Sequence, residues 1–157
     1  MTIVPGFPRL ALVLALVACG DALAPEVAPE SAAAPVREFV DLMNAHRASV
    51  GCGQLIWHDG TARVAKRHSE DMVERSFFDH TNPDGESPFD RLRNAGITWT
   101  RAGENIAAGY ADAAAVLQGW LASPGHRANI ENCAYTHHGV GLEGTHWTHV
   151  FITNPTP

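Results

Sequence analysis

Three short segments of this 157-residue chain carry polar side chains that could bind a ligand or a metal ion. His80 ends the segment Phe-Phe-Asp-His, Glu104 lies in Gly-Glu-Asn-Ile, and His126 lies in Ser-Pro-Gly-His-Arg. An imidazole nitrogen binds divalent metals and exchanges protons near neutral pH, and a carboxylate can activate a water.

From spacing alone, the histidines give a weak metal signal. The chain has nine histidines, and none belongs to the zinc pattern His-Glu-x-x-His. His68 lies between Val64 and Met72 on the apolar face of a predicted helix, where a buried core histidine is expected rather than a ligand. His137-His138 and His146 are expected to be surface or strand residues.

Periodic apolar residues predict the helices that would position these groups. Proline or a capping residue opens each helix, and a glycine or a Ser-Pro-Gly segment ends three of them. The four predicted helices cover about residues 35–50, 59–75, 87–96 and 112–122. The segment Ser123-Pro124-Gly125 is interpreted as the stop of the fourth helix, so His126 is expected in a turn.

The last third of the chain predicts a β-hairpin. Residues 139–143 and 146–153 contain β-formers around Gly144-Thr145, a two-residue hairpin signal. Trp147, His149 and Phe151 would face one side of the second strand, with the intervening residues on the other side. Helices around a small antiparallel sheet give an α+β fold class.

The first residues resemble an export signal. Arg9 precedes an apolar run over 10–17 that is too short to span a membrane. The segment Leu-Val-Ala-Cys resembles a bacterial lipobox, which predicts a signal peptide over 1–18 and a lipidated Cys19. The alternative is an ordinary signal cut near Ala18 or Ala22, with Cys19 discarded.

Residues 19–34, rich in Ala, Pro and Glu, are predicted to form a flexible tether to a domain over 35–157. The net charge is −6 and the basic residues are scattered, so no nucleic-acid partner is expected. If Cys19 carries lipid, Cys52 and Cys133 remain as an even pair in an exported protein, and a disulfide is predicted. A cysteine nucleophile is the alternative.

Four ordered segments closely resemble the CAP superfamily, which includes cysteine-rich secretory proteins, venom allergens and plant pathogenesis-related proteins, in its bacterial SCP-like branch. The resemblance covers about residues 36–153, and its segments are FFDHTNPDGESPFDRL, AGENIAAGY, GWLASPGHRANI and HHGVGLE. It implies an α-β-α sandwich with a central cleft. Relatives carry two histidines and two glutamates there, and several bind a divalent metal.

By motif, the resemblance assigns His80, Glu104 and His126 to this cleft, with His80 and His126 as possible zinc ligands. The second family glutamate is absent, because Leu121, Ala122 and Ser123 follow Trp120. An alternative is structural: Glu104 and Asn105 would hold loop backbone, and the segment around His126 would only stop a helix.

The resemblance implies an exported cell-envelope domain that binds an unidentified small molecule, lipid or protein without catalysis. No nucleophile stands beside a base in the sequence. The runner-up is a metal-dependent hydrolase of envelope peptides or peptidoglycan, in which zinc on His80 and His126 would bind a water that Glu104 activates. A purely structural envelope lipoprotein is the third hypothesis.

Overall fold

The computed structural model describes residues 28–153. The predicted signal peptide over 1–18 and the predicted lipidation site Cys19 lie outside these residues. Five helices and four strands follow one another in the order α1 (Ala34–Ser49), β1 (Ile56–Trp57), α2 (Asp59–Glu74), α3 (Pro88–Asn94), β2 (Arg101–Ala107), α4 (Ala113–Ala122), α5 (Pro124–Ile130), β3 (His137–Glu143) and β4 (His146–Thr153).

The four strands form one sheet in the order β1-β3-β4-β2. The predicted hairpin is confirmed, since β3 and β4 pair antiparallel and Glu143 lies opposite His146. β2 pairs antiparallel with β4, and the short β1 pairs parallel with β3, so the sheet is mixed rather than wholly antiparallel. β2 therefore forms one edge of the sheet.

Two apolar clusters place helices on both faces of this sheet. The larger cluster joins α1 and α4 to one face through Phe39, Trp120, Trp147 and Phe151. The smaller one joins α2 and α3 to the other face through Val64, Leu92 and Ile152. The predicted α+β class and the α-β-α sandwich are confirmed.

Gly139 and Gly141 let α2 lie directly on β3. A Cβ atom at Gly139 would come within 2.1 Å of the Ala62 nitrogen, and one at Gly141 within 2.3 Å of the Lys66 nitrogen. Both distances are far below van der Waals contact, so a larger residue would push the helix away from the sheet. The Gly-Val-Gly segment is a packing requirement of this face.

Two elements differ from the sequence prediction. β2 was not predicted, and Glu104 lies inside this strand rather than in a loop. The Ser-Pro-Gly segment ends α4 at Ala122 but also starts α5, with Pro124 in its first turn, so His126 is helical rather than part of a turn. Proline suits the first helical turn because its missing N–H has no partner there.

The residues before α1 lie against the domain. The predicted tether overlaps the described residues at 28–34, and Ala28 there belongs to the larger apolar cluster. Arg37 of α1 donates to the carbonyls of Glu30 and Ala32. The folded part thus begins before the predicted boundary at Pro35. Within residues 28–153, every helix is too short or too polar to span a bilayer.

The predicted disulfide between Cys52 and Cys133 is confirmed, with their Cα atoms 4.9 Å apart. It joins the chain after α1 to the chain after α5. Arg47, which is fully buried, reinforces this connection by donating to the carbonyls of Gly53 and Ile130. In the chain-entropy model, closing a loop of this size stabilises the fold by about 4 to 5 kcal/mol.

Candidate functional site

Glu104 lies on the edge strand β2, opposite Val150 of β4, and thus on the sheet face covered by α2 and α3. Its side chain is only 2% exposed. A carboxylate in such a place is expected to be paired, since burial without partners is costly. Both of its oxygens have a partner.

His80 provides the first partner. Its Nδ1 lies 2.8 Å from Oε1 of Glu104, and the imidazole itself is 47% exposed. A carboxylate accepts from Nδ1–H, which leaves Nε2 on the side of the ring away from Glu104. His80 is therefore oriented by a buried group while remaining accessible to solvent.

Arg91 of α3 provides the second partner. Its Nη2 donates to Oε2 of Glu104 at 2.8 Å, and its Nη1 donates to the carbonyls of His80 and Glu86. The guanidinium thus neutralises the buried carboxylate and fixes the backbone of the loop that carries His80. This residue was not identified from the sequence, although Arg91 lies in the FFDHTNPDGESPFDRL segment.

His126 of α5 approaches the same edge strand from the other face of the sheet. Asn105, the residue after Glu104, is fully buried and donates through Nδ2 to the His126 carbonyl at 3.0 Å. Asn129 donates to Oδ1 of Asn105 at 2.8 Å and to the Glu104 carbonyl at 3.3 Å. The Asn105 amide therefore fixes the backbone of α5 beside β2.

The two cleft histidines have opposite electrostatic environments. The hydrogen bond to Glu104 raises the pKa of His80 above its ordinary value. Burial, with a further contribution from positive charge on His80, lowers the pKa of His126.

His80 and His126 are the two possible zinc ligands that the resemblance implies, and this assignment stays a prediction. Glu104 already engages His80 and Arg91, so its position matches a carboxylate that orients a histidine ligand, not a ligand itself. In residues 28–153 no three histidine, cysteine, aspartate or glutamate side chains are placed to hold a metal together. Two imidazoles are one fewer than the three protein ligands of a catalytic zinc site.

Comparison with known proteins tests the family resemblance that the sequence motifs indicate. A family model described as the cysteine-rich secretory protein family, CAP, matches residues 40–152. The Bacillus subtilis uncharacterized membrane protein YlbC is 42% identical over 116 residues, 74% of this chain and 34% of its own length. The uncharacterized protein YkwD of the same organism is 40% identical over 127 residues, 80% of this chain and 49% of its own length. The chain therefore spans at most half of these relatives.

Solved structures show the same fold. An extracellular protein containing an SCP domain from Bacillus anthracis superposes with a TM-score of 0.74 at 39% identity, covering 76% of this chain and 40% of that one. An outer surface protein of Borrelia burgdorferi superposes with a TM-score of 0.68 at 21% identity, covering 75% of this chain and 91% of that one. At 21% identity, the similarity to the Borrelia burgdorferi protein shows a shared fold only.

The matched residues include α2, the edge strand with Glu104, α5 with His126 and the hairpin, all in the order that the sequence motifs predict. The resemblance drawn from these motifs is confirmed. The chain belongs to the cysteine-rich secretory protein (CAP) family.

Proposed function

We propose that this chain is an exported cell-envelope protein whose CAP domain binds a ligand, without catalysis, through the imidazoles of His80 and His126. The single observation that carries the proposal is the pairing of Glu104. Its two oxygens are engaged by His80 and Arg91, and its side chain is 2% exposed. The carboxylate therefore orients a ligand-binding imidazole and does not face a substrate.

This pairing also disfavours the hydrolase hypothesis. A general base must lie within hydrogen-bond reach of the water that it activates, and it needs a free acceptor position on that side. Glu104 is buried and held by a guanidinium. The second family glutamate, which could have served instead, is absent because Leu121-Ala122-Ser123 occupies that part of the chain.

Export is supported by the N-terminal sequence and by the extracellular SCP-domain protein from Bacillus anthracis that shares this fold. One relative is named a membrane protein. We propose that acylation of Cys19 anchors the mature chain. Mass spectrometry of the membrane fraction should show an acylated N-terminal Cys19, and a free N-terminus beyond residue 19 would contradict the anchor.

The binding proposal is tested with Zn²⁺ as the probe. Calorimetric titration of the full-length chain should show saturable uptake that is lost in His126→Ala, while circular dichroism stays unchanged and the free energy of unfolding falls by less than about 1 kcal/mol. His46→Ala is the matched control, since this half-buried histidine of α1 pairs with Glu131 at 2.9 Å. Loss of uptake in the control, or uptake unaffected by His126→Ala, would contradict the assignment.

A hydrolysis screen separates the two hypotheses. The zinc-loaded chain should cleave neither peptides nor peptidoglycan above the rate of the His126→Ala chain. Turnover that a chelator abolishes and that disappears in Glu104→Gln would favour the hydrolase and overturn the non-catalytic assignment.

A further inference from the structure

A groove of about 450 Å³ lies between α2 and the residues that precede α1, beside β3. Its volume is within the range of about 300 to 1,000 Å³ typical of binding sites for small ligands and peptide side chains. The cleft residues His80, Glu104 and His126 do not line it, so it is a separate site.

The side of the groove away from α2 is apolar. It is formed by alanine, valine, leucine and tryptophan side chains, namely Ala32, Ala33, Val36, Trp57, Val140 and Leu142. Ala32 and Leu142 are half-buried and Trp57 is 8% exposed, so an occupant can reach them. The indole N–H of Trp57 already donates to Asp59, which leaves the apolar part of the ring for contact.

The side of the groove formed by α2 is basic. Arg63, Lys66 and Arg67 lie along it. Lys66 is paired with Glu70 and Glu143. Arg63 and Arg67 are exposed, and within residues 28–153 neither has an ion-pair partner. An apolar surface therefore faces two cationic side chains across one groove.

These two arginines are spaced along the groove rather than gathered at one end. They are four positions apart on α2, which places their Cβ atoms about 5 to 6 Å apart. The groove follows α2 from Asp59 to Arg67, a length of about 12 Å at 1.5 Å per residue. Its occupant must therefore carry negative charge at two points along one side and apolar groups along the other.

An extended peptide has this arrangement. Its side chains alternate, so residues i and i+2 project to the same side about 7 Å apart, close to the spacing of Arg63 and Arg67. The intervening residues project to the opposite side, which here is apolar. About four extended residues span 12 Å. Ser31, exposed beside the groove, offers a hydroxyl to the peptide backbone.

Other anions match the groove less well. A fatty acid carries its negative charge at one end only, so it would engage one of the two arginines. A nucleic acid or a polyphosphate carries charge along its length but has no aliphatic side chains for the apolar side. We propose that this groove binds an extended acidic segment of a partner protein, with carboxylates at alternate positions on Arg63 and Arg67.

The experiment titrates the full-length chain, with ¹⁵N-labelled arginine, with the peptide acetyl-Leu-Glu-Leu-Glu-Leu-amide. The Nε resonances of Arg63 and Arg67 should shift to saturation, and added salt should weaken the binding. Two matched peptides separate the contributions: the first has glutamine for glutamate, and the second has glycine for leucine. Each should bind about tenfold more weakly or less.

Substitutions on α2 test the charge contacts. The double variant Arg63→Gln, Arg67→Gln should weaken the peptide affinity about tenfold, since it removes two exposed ion pairs. Arg101→Gln is the matched control, because this exposed arginine at the start of β2 lies outside the groove. It should leave the affinity unchanged.

A second pair of variants tests the groove itself. Ala33→Trp should weaken peptide binding about tenfold or more, because the added ring fills space that the peptide needs. Ala34→Trp is the control, since Ala34 is exposed beside Ala33 but does not line the groove. His126→Ala should leave the peptide affinity unchanged although it abolishes the Zn²⁺ uptake proposed for the cleft, so the two proposals fail separately.

Four results would overturn the proposal. The first is no saturable shift of the Arg63 and Arg67 resonances with the acidic peptide. The second is equal affinity for the glutamine peptide. The third is tighter binding of dodecanoate at these arginines, which would make the groove a fatty-acid site. The fourth is peptide binding that appears only after Asp21→Asn and Glu26→Gln, which would assign the groove to the chain's own preceding residues. None of the first three needs a variant, so a folding defect leaves the test intact.

Discussion

Two pairs of histidines occupy opposite environments in this domain. The cleft pair, His80 and His126, flanks the edge strand β2 and is at least partly exposed. The core pair, His138 and His149, lies between β3 and β4 with no exposed surface, and Nδ1 of His138 is 3.0 Å from Nε2 of His149. The same residue type is therefore partly exposed beside the edge strand at one place and fully buried in the core at another.

The surroundings of each pair explain the difference. Glu104 raises the pKa of His80 and holds its ring toward solvent. Burial instead lowers the pKa of His138 to about 3 and that of His149 well below its ordinary value. Aromatic rings of Phe39, Trp120 and Phe151 surround His149. Neither the number nor the spacing of the histidines in the sequence shows which of them are buried or how their pKa values shift.

The largest expected difference between the pairs is in stability. His149→Ala should lower the free energy of unfolding by about 3 to 5 kcal/mol, since it opens a cavity among aromatic rings and leaves His138 unpartnered. His126→Ala, the matched variant in the cleft, should lower it by less than about 1 kcal/mol. Urea denaturation measures both values, and similar losses would refute the distinction.

Acidification should act mainly through the core pair. Because its folded pKa values are below the unfolded value of about 6.5, its stabilisation is complete above pH 6.5 and is lost as pH falls toward about 3. Each buried histidine should cost about 1.4 kcal/mol per pH unit below 6.5. His80 acts in the opposite direction, since its raised pKa adds stability at low pH.

The window between pH 6.5 and 5.5 separates the histidine effect from the carboxylates, which titrate mainly below it, and buried His68 contributes in the same direction as the core pair. Urea denaturation at several pH values should show the loss there. Imidazole resonances should show His80 titrating in the folded protein while His138 and His149 stay neutral until unfolding. A flat stability profile over this window would contradict the burial-based explanation.

A smaller loss of stability is expected when the buried amide of Asn105, which fixes α5 beside β2, is removed. Asn105→Leu should cost about 1 to 3 kcal/mol, because the His126 carbonyl and the Asn129 amide both lose a buried partner. It should also displace the His126 resonance while leaving the His138 and His149 resonances in place. Asn94→Leu is a control on an exposed helix end. Equal effects of the two substitutions would mean that Asn105 does not hold α5.

The smallest expected effect is a change in the pKa of His126 when His80 is replaced. His80→Ala should raise the pKa of His126, because positive charge on His80 is one cause of its lowering, while burial keeps that pKa below its ordinary value. An NMR pH titration of His126 in both chains measures the change. An unchanged or lower pKa would show that the two imidazoles are too far apart to share a ligand.

The sequence predicts most elements of this fold because their signals are local. Ser87 caps α3 in a full capping box, Asp112 caps α4, and the Gly144-Thr145 hairpin joins the last two strands. β2 escaped prediction because Arg101–Ala107 has no alternation of β-formers, and its strand geometry depends on pairing along β4. α5 escaped because the proline that stops one helix starts the next.

The order of the motifs, the even cysteine pair and the chemistry available at His80, Glu104 and His126 were determined by the sequence alone. Tertiary structure decided which histidines are buried, that Arg91 neutralises Glu104, and that Arg63 and Arg67 lie along one apolar groove. These outcomes depend on residues distant in sequence meeting at one strand, and burial and pairing set the protonation of each group. Local residue patterns do not contain those distances.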